Sequence, residues 1–202
     1  APLTRQATAT SSSRWPDMPA PGRRPLLVWL CASPWLAQAQ PRDALAERLR
    51  AGACVVLLRH AQTVAGVGDP PGFRVDLCST QRNLSEEGRE QARRIGQWFR
   101  AHDLRPRAVL SSAWCRCKDT ADLAFGRHVV WPALNSFFEG RASEPAQTRQ
   151  LRAALAQVPA GQFEVWVTHQ VNMTALTGEG MSMGEGLVVD AQGKMVARST
   201  FG

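Results

Sequence analysis

Hydrophobic and polar positions alternate between two rhythms along most of the chain. Asp43 to Ala51 sets Leu45 and Leu49 on one helical face, and Gly52 can end that helix. Ala53 to Leu58 (ACVVLL) is short, apolar and β-branched, the signature of a strand buried on both faces. Ala61 to Asn83 carries Gly66, Gly68, Pro70, Pro71 and Gly72 and reads as loop. Ser85 is a good N-cap, with Glu86 and Glu87 in the first turn after it. Leu84, Gly88, Ala92, Ile95 and Phe99 then mark one face of a helix to about Ala101. Ala108 to Leu110 is a second strand, Arg116 to Phe125 a helix stopped by Gly126, and His128 to Trp131 a third strand. Glu144 to Val158 is a helix with Leu151, Leu155 and Val158 turned inward. Phe163 to Val167 (FEVWV) is a fourth buried strand. Leu187 to Val189 and Met195 to Ala197 flank a turn and read as a terminal hairpin. This alternation predicts an α/β three-layer sandwich: a mostly parallel central sheet flanked by helices, with a C-terminal β-hairpin.

The first 39 residues do not share these rhythms. Ala1 to Asp17 is rich in Ser, Thr, Pro and Ala and reads as disordered. Met18 is a plausible start for a segment with three parts: a cationic Arg23-Arg24, an apolar Leu26 to Leu36, and small residues in Ala37-Gln38-Ala39. That is the layout of a secretory signal peptide cleaved after Ala39; an uncleaved anchor and a surface helix are the competing readings. The expected organisation is therefore a leader over residues 1–39 and one domain over residues 40–202, placed in the periplasm or outside the cell, with no stable membrane insertion after cleavage. Four cysteines then remain. Cys54 lies in a buried strand and reads as a small core residue. In an oxidising compartment Cys78 could pair with Cys115 or with Cys117, and all-free thiols are the alternative.

Charge adds little to this. The 202 residues carry a net charge of +7, nearly all of it from Arg. Residues 1–39 hold four Arg and one Asp, so residues 40–202 carry 20 basic and 16 acidic side chains, a net +4. With no Lys/Arg-rich run, this is a solvated surface with a few functional arginines rather than a nucleic-acid-binding face.

The chemistry gathers at strand ends. His60 follows the first strand and His169 the fourth, at the edge where open α/β sheets bind ligands. Arg59 stands beside His60, and Arg116 opens a helix after another strand. Two arginines and two histidines make an oxyanion pocket, because guanidinium forks bind phosphate bidentately and keep their protons. Neither a C-x-x-C pair nor clustered histidines suggest a metal centre.

These residues carry a resemblance. Leu58-Arg59-His60-Ala61 resembles the R-H-G/A signature of the histidine phosphatase superfamily. Leu84-Ser85-x-x-Gly88-x-x-Gln91-Ala92, Ser111-Ser112-x-x-x-Arg116-x-x-x-Thr120-Ala121 and Val167-Thr168-His169 resemble three further segments of it, in the same order. The resemblance implies that His60 is the nucleophile and becomes a phosphohistidine. Arg59, Arg116 and His169 would hold the transferring oxygens, with no metal or other cofactor. Thr63 and Gln170 are candidate substrate contacts. The expected reaction is hydrolysis of a phosphomonoester or phosphoramidate; the alternative is a phosphate binder that no longer turns over. Expected substrates are a small molecule, an envelope glycan or a phosphohistidine protein, with no nucleic-acid partner. The sequence departs from the family at the general acid. Mutase-like members have Glu in an L-x-E segment, and Leu134-Asn135-Ser136 places Ser136 there. Glu139 is the candidate donor and Asp76 the second, with Arg141 a possible surface partner for Glu139.

Overall fold

Eleven principal elements carry the chain in the computed structural model, which describes residues 41–66 and 68–201. The leader and signal-peptide expectations fall outside them. In order the elements are α1 (Pro41–Ala51), β1 (Cys54–Arg59), α2 (Glu86–Ala101), β2 (Ala108–Ser111), α3 (Cys115–Phe125), β3 (Val129–Val130), α4 (Glu144–Leu155), β4 (Phe163–Thr168), α5 (Gln170–Thr177), β5 (Gly186–Asp190) and β6 (Met195–Ser199). They build one six-stranded sheet in the order β3-β2-β4-β1-β5-β6. The first four strands in chain order are parallel to one another. The C-terminal hairpin β5–β6 completes the sheet by pairing antiparallel with β1.

Strand alternation divides the core into two layers. Cys54, Val56, Leu58, Val165 and Val167 pack with Leu49 of α1, Ile95 and Phe99 of α2 and Ala121 of α3. Val55, Leu57 and Trp166 face the opposite way, onto Leu151 and Leu155 of α4 and Met173 and Leu176 of α5. The expected three layers are present. Glu164 is buried in β4 without being orphaned: Trp166 Nε1 donates to it at 2.9 Å and Arg107 lies 3.3 Å away.

Two elements differ from the pattern. The third strand shrinks to Val129–Val130 at the exposed edge of the sheet, and α5 occupies a stretch for which no element is predicted. What matters for function is register. Arg59 pairs with Thr168 and Ser111 with Val167, so β1, β2 and β4 end together, and His60 N donates to Thr168 O at 3.1 Å just past that line.

Candidate active site

The aligned strand ends deliver Arg59, His60 and His169 to one edge of the sheet, and the first turn of α3 brings Arg116 beside them. Together with Arg82 and Asp69 from the loop after β1, they line a cavity of about 730 Å³. His60 and His169 are almost wholly buried, with ring centroids 5.5 Å apart and planes edge-to-face.

Hydrogen bonds assign the ring nitrogens. His60 Nδ1 lies 2.8 Å from Ala61 O, which can only accept, so Nδ1 holds the hydrogen and Nε2 the lone pair. Burial pushes the His60 pKa down to about 3, the Ala61 bond opposing it and Arg116, Arg59 and Arg82 reinforcing it. His169 is lowered in the same direction, by burial first and then by His60 and the arginines. Its Nε2 lies 2.9 Å from Ser112 Oγ. Ser112 Oγ donates to Asn135 Oδ1 at 3.2 Å, an atom fixed as oxygen because Ala113 N also donates to it at 2.8 Å. Ser112 therefore accepts from His169 Nε2–H, leaving Nδ1 as the nitrogen that can take up a proton and donate to an anion. Buried Cys117 lies 3.4 Å from His169 Nε2; burial pushes its thiol up to about 12, so it stays protonated.

The arginines are held but not saturated. Arg59 Nη1 donates to Gln170 Oε1 at 3.3 Å and to Met181 O, while its Nε is buried with no hydrogen-bond partner. Arg116 Nη1 donates to Asp69 Oδ1 at 2.8 Å and to Arg82 O at 3.4 Å, and its Nε is likewise unmatched. Burial first, and then the neighbouring guanidinium groups, hold Arg59 and Arg82 below the ordinary arginine pKa. Among the described residues, three arginines share the cavity wall with the carboxylates of Asp69 and Glu139, a net positive charge that an incoming anion would offset.

The remaining candidates separate. Gln170 lines the cavity with its amide locked, accepting from Met181 N at 2.9 Å and donating to Thr174 Oγ1 at 2.8 Å. Thr63 is buried away from the cavity wall, its hydroxyl 3.6 Å from Met183 Sδ. Glu139 is exposed on the cavity wall, and Arg141 pairs with Glu144 at 3.0 Å rather than with it. Asp76 is exposed, bound to Arg74 at 2.6 Å and off the cavity wall. Cys78 and Cys115 form a disulfide, while Cys54 and Cys117 are free and buried. No cluster of three or more metal-ligating side chains occurs among the described residues.

Sequence reasoning passed over Asp69, Arg82 and the aromatic wall of Phe73, Trp114, Phe137 and Phe138. Asp69 and Arg82 sit in an aperiodic loop, and the aromatics come from three separate segments, so neither periodicity nor strand-end position marks them.

Comparison with known proteins finds a matching family and a similar fold. The family profile "Histidine phosphatase superfamily (branch 1)" matches residues 55–162. Among solved structures, the chain is similar to a candidate phosphohistidine phosphatase, SixA, from Agrobacterium tumefaciens, at 23% identity and TM-score 0.50, covering 73% of this chain and 97% of that one. It is also similar to a phosphoglycerate mutase from Thermus thermophilus, at 20% identity and TM-score 0.51, covering 72% of this chain and 97% of that one. No curated protein matches the sequence.

Proposed function

Because the chain belongs to the histidine phosphatase superfamily (branch 1), we propose that it hydrolyses phosphomonoesters or phosphoramidates through a phosphohistidine on His60. The observation that carries this reading is the His60 ring itself. It is a neutral imidazole whose Nδ1–H is held by Ala61 O and whose Nε2 lone pair is free for attack, in a cavity lined by three arginines.

In the first step the Nε2 lone pair forms a P–N bond while the bond from phosphorus to the leaving atom breaks, and that atom keeps the electron pair. Arg59, Arg82 and Arg116 hold the equatorial oxygens, where charge shifts in the transition state; His169 joins them through Nδ1 by taking up the acidic proton of a monoanionic phosphate ester, which leaves a bound dianion. The ring is now a phosphoimidazolium, and its Nδ1–H donates a charge-assisted bond to Ala61 O. Water then forms a P–O bond, the P–N electrons return to Nε2, and phosphate departs. Glu139, on the cavity wall, is the proposed donor to a basic leaving oxygen and the acceptor of the water proton. Good leaving groups need no such donor. Gln170 orients Arg59 and so shapes the phosphate site.

We also propose that the protein is exported. The Arg23-Arg24 and Leu26–Leu36 pattern supports this, and so does the Cys78–Cys115 disulfide, a bond typical of oxidising compartments. Sequencing the N-terminus of the protein recovered outside the cytoplasm should begin at Gln40; an N-terminus upstream of Arg23 would sink the export reading.

Rapid quenching with a phosphate ester should trap acid-labile, base-stable phosphate on wild type and none on His60→Ala, whose turnover should fall at least about 10³-fold. Wild-type-like turnover in that variant ends the phosphohistidine mechanism. Phosphate binding with neither trapped phosphate nor turnover would identify a silent binder of the same fold.

A further inference from the structure

The phosphate pocket occupies only one part of the cavity. The cations and histidines lie together at the sheet edge, and aromatic side chains cover much of what remains. Trp114 stands edge-on to His169 with centroids 5.4 Å apart, and Phe73 stacks at a tilt on Trp114 at 6.0 Å. Phe137 is buried beside the cavity, while Phe138 is 81% exposed on its wall. A phenyl ring left this open to water, lining the same cavity as a Phe73–Trp114 pair that reaches a site histidine, is apolar surface awaiting a partner.

We infer that the substrate's leaving group is an aromatic ring, seated against Phe73, Trp114 and Phe138 while its phosphate lies on Arg59, Arg82 and Arg116. The inference rests on the phosphatase reading and extends it. A group bonded to phosphorus must lie in the same cavity beyond the cationic groups, and Phe73, Trp114 and Phe138 line that cavity, with Trp114 against His169. Aromatic pairs gain from offset or edge contacts beyond the area they bury. A polyhydroxylated leaving group would need many polar partners. Outside the arginines and histidines the polar side chains on the wall are Asp69, Ser136, Glu139, Ser143 and Gln170, of which Asp69 is bound to Arg116 and the Gln170 amide is engaged at both its oxygen and its nitrogen. The chemistry points the same way. When P–O cleavage releases a phenolate, the oxygen keeps the electron pair without needing a proton in the transition state, and it takes one from water afterwards. That suits a site whose two wall carboxyls are Asp69, bound to Arg116, and Glu139, exposed to water.

The test separates ring recognition from leaving-group reactivity. Naphthylmethyl phosphate and butyl phosphate release alkoxides of similar basicity, and only the first carries a ring. For the full chain kcat/KM should favour naphthylmethyl phosphate by roughly tenfold, and Phe138→Ala should bring the ratio close to one, with Phe138→Leu between them. Phe138 is exposed, so its truncation opens no core cavity. Equal rates for the two esters, an unchanged ratio in Phe138→Ala, or a preference for a hexose phosphate over both would overturn the inference. Calorimetric binding of the matching phosphonates to the full chain decides the point without turnover. A ring preference there, with no hydrolysis even of acetyl phosphate, would condemn the phosphatase reading and keep the aromatic one; equal binding would condemn the aromatic one. A peptide bearing phosphonomethyl-phenylalanine separates the two sources of such a ring. Tighter binding than benzylphosphonate indicates a polypeptide substrate, and weaker binding a free aromatic ester.

Discussion

The proposed mechanism needs His60 as a neutral ring, and the same burial that keeps it neutral makes the fold sensitive to acid. Its native pKa of about 3 lies below the ordinary 6.5, and His169 is displaced in the same direction. Between those values the unfolded chain binds protons that the native state refuses, so stability falls as pH drops from about 6.5 towards 3. The melting temperature should decline over that window, and His60→Asn should flatten the decline; an unchanged slope would mean that these rings do not carry the acid sensitivity. The motif residues around His60 act by shape. A Cβ on Gly88 would lie 1.9 Å from Gln62 O, while Gln91 Oε1 accepts from Gln62 N at 3.0 Å and Thr120 Oγ1 from Ala61 N at 3.0 Å. Gly88→Ala gains about 1 kcal/mol of helix preference but should lose more to this clash, for a net destabilisation of about 1–3 kcal/mol in urea denaturation together with lower activity. Arg59, His60, Arg116 and His169 were legible because strand ends and helix starts place them. Asp69 and Arg82 were not, since no local rule dictates the path of a loop threaded with Gly66, Gly68, Pro70 and Pro71.

At the level of elements, the cavity is assembled by clamps between segments remote in sequence. The Cys78–Cys115 bridge and the Cys115 N to Gln81 Oε1 bond at 2.9 Å tie the loop bearing Asp69 and Arg82 to the helix start bearing Arg116. Gln147 Nε2 of α4 and Asn172 Nδ2 of α5 both donate to Asn135 O, at 2.9 Å each. They thereby hold the segment whose Asn135 side chain orients Ser112 and, through it, His169. Spacing alone left the partner of Cys78 open between Cys115 and Cys117. The fold decides it by turning Cys117 into the core under β4. Replacing Cys78 and Cys115 together by Ser should cost about 3–4 kcal/mol, given the separation of 37 residues. It should also raise KM more than it lowers kcat, because in the proposed mechanism the loop carries the phosphate contact Arg82 rather than the nucleophile; kinetics showing an intact KM would deny the loop that role. The helix α5 was missed for a physical reason. Its eight residues begin directly after His169 with no side-chain cap, and Val171, Met173 and Leu176 make no clear stripe. It forms because Met173 and Leu176 close the core layer over Leu57 and Trp166.

Across the whole molecule, parallel strands of matched register convert chain positions far apart into neighbours. The alternation of buried strands and amphipathic helices was readable from residue 43 onward. The hairpin was readable too, but not its attachment beside β1, because strand pairing is a long-range choice that a short apolar run does not encode. The consequence for chemistry concerns charge. Phosphoryl transfer needs the phosphate's negative charge neutralised and its oxygens held in line, a task often given to magnesium. Here Arg59 from a strand end, Arg82 from a loop and Arg116 from a helix start converge on one cavity, where burial first and their mutual repulsion second hold Arg59 and Arg82 below the ordinary arginine pKa. Guanidinium groups cannot be stripped by a chelator. Turnover of p-nitrophenyl phosphate should therefore survive EDTA within about twofold, whereas Arg116→Ala should cost roughly 10²-fold or more, as removal of a transition-state charge donor does elsewhere. Arg116→Lys should recover only part of that loss, since an ammonium supplies the charge without the fork. Activity lost to EDTA and restored by a divalent ion would show that the arginines position the phosphate but do not by themselves neutralise it.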